Sequence, residues 1–165
     1  MKNIFRLILF AALVVFGVWL WFVLFPSPEQ VIRQRLTKLA RTASFSSGEG
    51  NLARLTAAED ITGYFDTNVE VDINVPGRLQ HTLAGRADIR QAAPGARERF
   101  GGMTVQFPDI NITVAPDKQS AVADLTVEVD IAGEHDAIVQ EMKFTFQKTE
   151  DGWLINRVET VRTLS

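Results

Sequence analysis

The sequence predicts a soluble α+β domain held by a single N-terminal membrane span. Three observations lead there: a long apolar run near the start, a group of helical stretches after it, and then a series of strands with period-two patterning. The run Leu7–Phe25 reads LILFAALVVFGVWLWFVLF, nineteen residues without a charge, an amide or a proline. At about 1.5 Å per residue it extends roughly 28 Å, close to the thickness of a hydrocarbon core. A helix that is apolar all round has no face to show to water.

A secretory signal peptide would carry a shorter apolar stretch followed by small residues at a cleavage site. Here Val23, Leu24 and Phe25 stand where small side chains should be, and Pro26-Ser27-Pro28 follows. Trp19 and Trp21 sit near the outer end, where amphipathic rings favour the headgroup region. The run therefore reads as a retained single-pass anchor, residues 1–26, followed by one domain, residues 27–165. Lys2 and Arg6 precede the span and favour a cytoplasmic N-terminus, while Arg33, Arg35, Lys38 and Arg41 follow it and pull the other way. The charges nearest the span decide the expectation: an inner-membrane protein with its C-terminal domain on the exported, periplasmic side. The absence of cysteine fits either compartment.

Charge is segregated along the chain. From Ser44 onward there are 11 basic and 19 acidic residues. Such an acidic body argues against nucleic-acid binding, which needs a basic stripe. The basic stretch from Arg33 to Arg41 reads either as a lipid-facing patch or as the solvated side of a helix.

The elements follow in order. Ser27 is placed as N-cap, Pro28 as first helical residue and Gln30 to close a capping box. Ile32, Leu36, Leu39 and Ala43 then recur at helical spacing. Ser44–Asn51 is a loop by composition, and Leu52–Phe65 a second helix whose working start is Ala57, since Thr56-x-x-Glu59 repeats the capping pattern. Val69, Val71, Ile73 and Val75 alternate with Glu70, Asp72 and Asn74, a half-buried strand ended by Pro76-Gly77. A short strand near Leu79–Leu83 makes a hairpin. Gly85 opens a third helix, which Pro94-Gly95 should break or kink.

The rest is β. Val105 and Phe107 share one parity, Pro108-Asp109 interrupts, and Ile110, Ile112 and Val114 resume on the other, which implies a bulge. Ala121, Ala123, Leu125, Val127, Val129 and Ile131 line one face of the next strand. Ile138, Met142, Phe144 and Phe146 line one face of its partner. Asp151-Gly152 turns into a last strand, Trp153–Thr163. Helices first and hairpin-linked strands afterwards give helices packed on one face of an antiparallel sheet.

Three strings in this order, Tyr64-Phe65-Asp66-Thr67-Asn68-Val69-Glu70-Val71-Asp72, Gly85-Arg86-Ala87-Asp88-Ile89-Arg90 and Asp151-Gly152-Trp153-Leu154-Ile155, resemble the nuclear transport factor 2-like superfamily with its SnoaL-like branch. The resemblance spans about Glu29 to Leu164. It implies a curved sheet wrapped around about three helices into a cone, often with a pocket inside, and often a homodimer. It implies no single reaction, because this fold hosts many chemistries and many non-enzymatic modules.

In ketosteroid-isomerase-like and cyclase-like members an acidic residue near the end of the first strand moves a proton, and Asp72 occupies that place by resemblance. A carboxylate there needs an apolar pocket to raise its pKa. The alternation, however, groups Asp72 with Glu70 and Asn74 on a solvated face. Tyr64 could orient a ligand through its hydroxyl, although its spacing with Ile61 reads as core. Arg157 and Glu159 share parity with Trp153 and Ile155, which would bring them into the cone near Gln140 as polar contacts. His81 and His135 form no metal-ligand spacing, and no phosphate loop or nucleophile motif occurs, so no cofactor and no metal are expected. The functional expectation is a membrane-anchored, non-catalytic binding module. The alternatives are a small pocket enzyme of isomerase, cyclase or hydrolase type acting on an apolar molecule through Asp72 with Tyr64 or Arg157, and a scaffold whose outer sheet face, with Thr126, Glu128, Lys143, Thr145, Asn156 and Thr160, assembles a membrane complex.

Overall fold

Ser27 caps the first helix: its Oγ accepts from the Gln30 N–H at 3.3 Å, and Pro28 occupies the first turn, where a missing N–H costs nothing. The helix, α1, runs Pro28–Ala43 and buries Ile32, Leu36, Leu39 and Ala40 on one stripe. Burying a Leu or Ile side chain of this stripe stabilises the fold by about 1.5–3 kcal/mol. The computed structural model describes residues 12–17, 26–75 and 79–161. The apolar run Leu7–Phe25 lies mostly outside them; residues 12–17 within it are helical. Among the described residues no helix is long and apolar enough to cross a membrane.

The second helix, α2, spans Asn51–Thr62. The expected capping box does not form. Thr56 Oγ1 donates instead to the Leu52 carbonyl one turn back, inside a helix already under way from Gly50. Tyr64 and Phe65 lie beyond its end, Tyr64 in a turn and Phe65 as the first residue of a strand.

Strand β1 covers Phe65–Val75 and pairs antiparallel with β2, Leu79–Ala84. Between them and the third helix stands Gly85 at φ +87°, where a Cβ would approach the Thr67 carbonyl to 3.3 Å. Its N–H donates to the Val69 carbonyl at 2.7 Å. Arg86 donates through two nitrogens to the Phe65 carbonyl, and Asp88 accepts from the Ala84 N–H at 3.0 Å. The string Gly85-Arg86-Ala87-Asp88 thus ties the start of α3, Arg86–Arg99, to the irregular stretch of β1. Pro94 does not end this helix. Ile89 before it and Arg97 after it are both buried, so packing on both sides of the proline holds the two halves together.

The strands β3 (Met103–Gln106) and β4 (Ile110–Val114) both pair antiparallel with β5 (Ser120–Ile131). Gln106 faces Glu128 and Ile110 faces Leu125, so one side of the ladder carries one more residue than the other. That is the expected bulge. β5 pairs with β6 (Ile138–Thr149), and β6 with β7 (Gly152–Thr160). The sheet order is β2-β1-β7-β6-β5-β3, with β4 also on β5.

The expected all-antiparallel sheet is corrected at one place: β1 and β7 run parallel, so the sheet is mixed. The first and last strands lie side by side, one strand in from the β2 edge, a pairing between distant segments that local patterning does not encode. The core lies between this sheet and the helices. It joins Ile32, Leu36 and Leu39 of α1 and Ile89 of α3 to Val69, Val71, Leu125, Met142, Phe144, Phe146, Trp153, Ile155 and Val158 of the sheet.

Candidate functional site

β7 decides where the polar residues go. Phe146 faces Ile155 while Thr145 faces Arg157, so Asn156 is an extra residue in β7 and the strand bulges there. A bulge reverses side-chain parity. Ile155 and Val158 therefore both point into the core, at 1% and 4% exposure, and Arg157 turns outward. The expectation that Arg157 and Glu159 share the cone with Trp153 and Ile155 is corrected by that one residue. Trp153 itself is buried as its parity with Ile155 requires.

On the outer sheet face Arg157 lies between two carboxylates. Its Nη1 is 3.4 Å from Glu70 Oε2 and its Nε is 3.2 Å from Glu159 Oε2. Lys143 on β6 approaches the other Glu159 oxygen at 3.8 Å. Asp72 stands exposed on the same face, in register with Glu159 across the β1–β7 pairing. Asp66, Asn68, Glu70, Thr145, Gln147, Asn156 and Arg157 line a shallow groove of about 410 Å³. Asn156 Oδ1 is shut off from solvent there and has no hydrogen-bond partner among the described residues. Outward pairs of this kind are worth about 0–1 kcal/mol each, so the array adds little to stability.

The other expected site residues are scattered. Gln140 belongs to the far end of β6, opposite Val127, and its amide nitrogen donates to the Glu141 carbonyl at 3.2 Å. Arg157 pairs with Thr145, five residues along that strand, so the two do not meet. Tyr64 lies on the helix side of the sheet, half-buried, with its hydroxyl 3.4 Å from Thr42 Oγ1 and the Arg35 guanidinium 5.5 Å above its ring. Asp72 and Tyr64 are thus on opposite sides of the sheet and share no site.

The interior of the cone is filled. Leu125, Met142, Phe144, Phe146 and Trp153 are each at most 6% exposed, with Val127 packed against them. Among the described residues no carboxylate is buried, and the buried polar side chains are Thr62 and Arg97. Arg97 was missed by pattern reading. It donates to Glu49 Oε2 at 2.5 Å and to the Thr42 carbonyl at 2.7 Å, and covers the Phe45 ring at 4.9 Å. Its sequence signal is spacing, eight residues after Ile89 on the buried side of α3. Among the described residues no group of three His, Cys, Asp or Glu side chains is placed to hold a metal.

No protein-family model matches the chain, and no curated protein sequence matches it. Solved structures do. An NTF2-like protein with a cystatin-like fold from Novosphingobium aromaticivorans is 20% identical, with a TM-score of 0.60 over 80% of this chain and 79% of that one. A provisionally named scytalone dehydratase from the same organism is 16% identical, with a TM-score of 0.60 over 82% and 84%. An NTF2-like protein of unknown function from Pseudomonas putida is 10% identical, with a TM-score of 0.61 over 83% and 87%. Likeness at these identities fixes architecture and leaves activity open. The chain has the NTF2-like, cystatin-like α+β fold.

Proposed function

We propose that the chain is a non-catalytic interaction module, held on a membrane by Leu7–Phe25, that works through the outer face of its sheet. The observation that carries this reading is the filled cone. A small-molecule enzyme of this fold needs an open cavity with a polar group aimed into it. Here the space is occupied by Leu125, Met142, Phe144, Phe146 and Trp153. The outer face offers the opposite: exposed side chains on paired strands and both signs of charge.

The partner that suits this face is a second copy. Arg157 and Lys143 lie among Glu70, Asp72 and Glu159, so a two-fold axis through the patch can set each cation against the other copy's carboxylates. The chain contains no cysteine, which makes the test direct. A single cysteine at Thr145 in the full chain is expected to cross-link to itself with a short bifunctional reagent. A cysteine at Glu134, in the turn between β5 and β6, is not. Equal cross-linking at both positions, or none at Thr145, refutes the face assignment.

The anchor is tested separately, by a reporter fused after Ser165. Activity on the exported side only is the expected result. Activity confined to the cytoplasm reverses the orientation, and recovery of the full chain from the aqueous fraction removes the anchor.

The second reading, a small pocket enzyme, draws support from the name of one structural neighbour, the provisionally named scytalone dehydratase. It requires a proton-transferring group in the cone. Asp72 faces away from it, so that reading needs a different residue or an opened interior.

A further inference from the structure

A second groove lies on the helix side of the molecule, between α1 and the end of α2, with a volume of about 420 Å³. Val31, Gln34, Arg35, Lys38 and Thr42 form its α1 wall, one stripe of the helix at three- and four-residue spacing. Asp60, Gly63 and Tyr64 form the other. Its charges are arranged unusually. Arg35 and Lys38 come from α1, Asp60 from the last turn of α2, and neither Lys38 nor Asp60 has an ion-pair partner among the described residues. Opposite charges line one small groove without closing on each other.

Arg35 is held in place. Its Nη2 donates to the Gly63 carbonyl at 2.7 Å, its guanidinium covers the Tyr64 ring, and Asp151 lies close enough to favour its charge. Its Nε is shut off from solvent without a partner. Burial lowers its pKa from the ordinary value, Tyr64 and Asp151 oppose the shift, and an arginine so placed stays charged at neutral pH. The enclosed Nε is out of a ligand's reach, but the charge of a partly desolvated guanidinium attracts an oxyanion more strongly than that of one in water. On the α1 wall, Thr42 Oγ1 donates to the Lys38 carbonyl at 3.0 Å and lies 3.4 Å from the Tyr64 hydroxyl.

We infer that this groove binds a small zwitterion of the phosphoethanolamine type, its oxyanion on Arg35 and Lys38 and its ammonium on Asp60. Either charged end alone meets half of the groove's complement and is repelled by the other half. The ligand that carries both satisfies both walls at once. The chemistry has two sources, a lipid headgroup and a free solute. The groove begins at Val31, in the first turns of the helix that follows the proposed span, and this places it within reach of a bilayer surface only if the anchor reading holds. The recognition itself does not depend on that reading.

The test is calorimetric titration of the full chain in nanodiscs of phosphatidylcholine, whose quaternary ammonium has no N–H to give Asp60. The probes are phosphorylethanolamine, inorganic phosphate and ethanolamine. Phosphorylethanolamine is expected to bind at least tenfold more tightly than either fragment. Asp60→Asn should bring it down to the level of phosphate, and Lys38→Gln should weaken phosphorylethanolamine and phosphate together by severalfold. Both side chains are exposed, so neither change threatens folding. Repeating the titration in nanodiscs containing phosphatidylethanolamine separates the sources: a weakened apparent affinity assigns the lipid headgroup, and an unchanged one the free solute. Equal binding of phosphorylethanolamine and phosphate, survival of the preference in Asp60→Asn, or no binding of any probe overturns the inference. None of these outcomes bears on the outer sheet face, so the two readings stand or fall apart.

Discussion

Thr145 and Phe146 are neighbours on β6, yet Phe146 is fully buried and Thr145 lines an open groove on the other side of the sheet. The same contrast runs along every central strand. The inner face is apolar and closed, with Met142, Phe144 and Phe146 of β6 meeting Leu125, Ala123 and Ala121 of β5 in register. The outer face carries Lys143, Glu70, Arg157 and Glu159 in ion pairs. Close packing makes the inner face intolerant of lost volume, while water and salt keep the outer face cheap to alter. The difference separates what builds the fold from what is free to serve another molecule.

The largest effect is expected at the inner face. Trp153 is 5% exposed and belongs to the main core cluster. Truncating a buried aromatic of this size typically costs about 3–5 kcal/mol. That is a large share of the ~5–15 kcal/mol that holds a domain together. Trp153→Ala should therefore lower the denaturant midpoint severely or prevent folding. A midpoint near that of the parent would mean that the inner face is not the tightly packed side.

The inner face was also the legible one. β5 carries Ala121, Ala123, Leu125, Val127, Val129 and Ile131 at every second position, and its register with β6 follows that spacing. The helix cap at Ser27 was equally plain, because capping is a local hydrogen bond written in four residues. The outer face was partly legible: the alternation that grouped Asp72 with Glu70 puts both outside. The errors came where one residue changes the count. In β7 the three consecutive apolar residues Trp153, Leu154 and Ile155, followed by Val158 three places after Ile155, break strict alternation and mark the bulge at Asn156. Thr56 and Glu59 matched a capping pattern that the helix overrode by starting earlier. The parallel β1–β7 pairing had no local signature at all.

Two ion pairs, one under the surface and one on it, sharpen the comparison. Arg97 is 5% exposed and depends on Glu49 for its charge partner. Glu49→Gln keeps the shape and removes the charge, leaving a buried guanidinium with a weaker acceptor. Loss of a partner to a buried charged group costs about 1–3 kcal/mol. The loss should persist in high salt, because a pair this buried is little screened. A change that vanishes in high salt would show the pair to be solvent-exposed.

Gly85 tests the junction where β1 hands over to α3. Its φ of +87° suits glycine, and a Cβ would press on the Thr67 carbonyl at 3.3 Å. Gly85→Ala is expected to cost about 1–2 kcal/mol in thermal or chemical unfolding. An unaffected melting curve would mean that the chain relaxes there without loss and that the Arg86 contacts alone hold the junction.

The smallest effect on stability, and the most informative for function, belongs to Arg157. Its two ion pairs lie on exposed side chains, and each such pair is worth about 0–1 kcal/mol. Arg157→Ala should therefore shift the unfolding midpoint by less than ~1 kcal/mol, and most of that shift should disappear as salt is raised. If the outer face joins two copies, the same substitution removes the cation that faces the other copy's carboxylates and leaves Glu70, Asp72 and Glu159 to repel their counterparts. Self-association measured by sedimentation should then weaken by tenfold or more, and Glu70→Lys should weaken it through the opposite imbalance. A fold left intact with association lost would separate the two faces in a single variant. Association unchanged in both variants would move the interaction surface elsewhere on the molecule and leave Arg157 as an ordinary solvated residue.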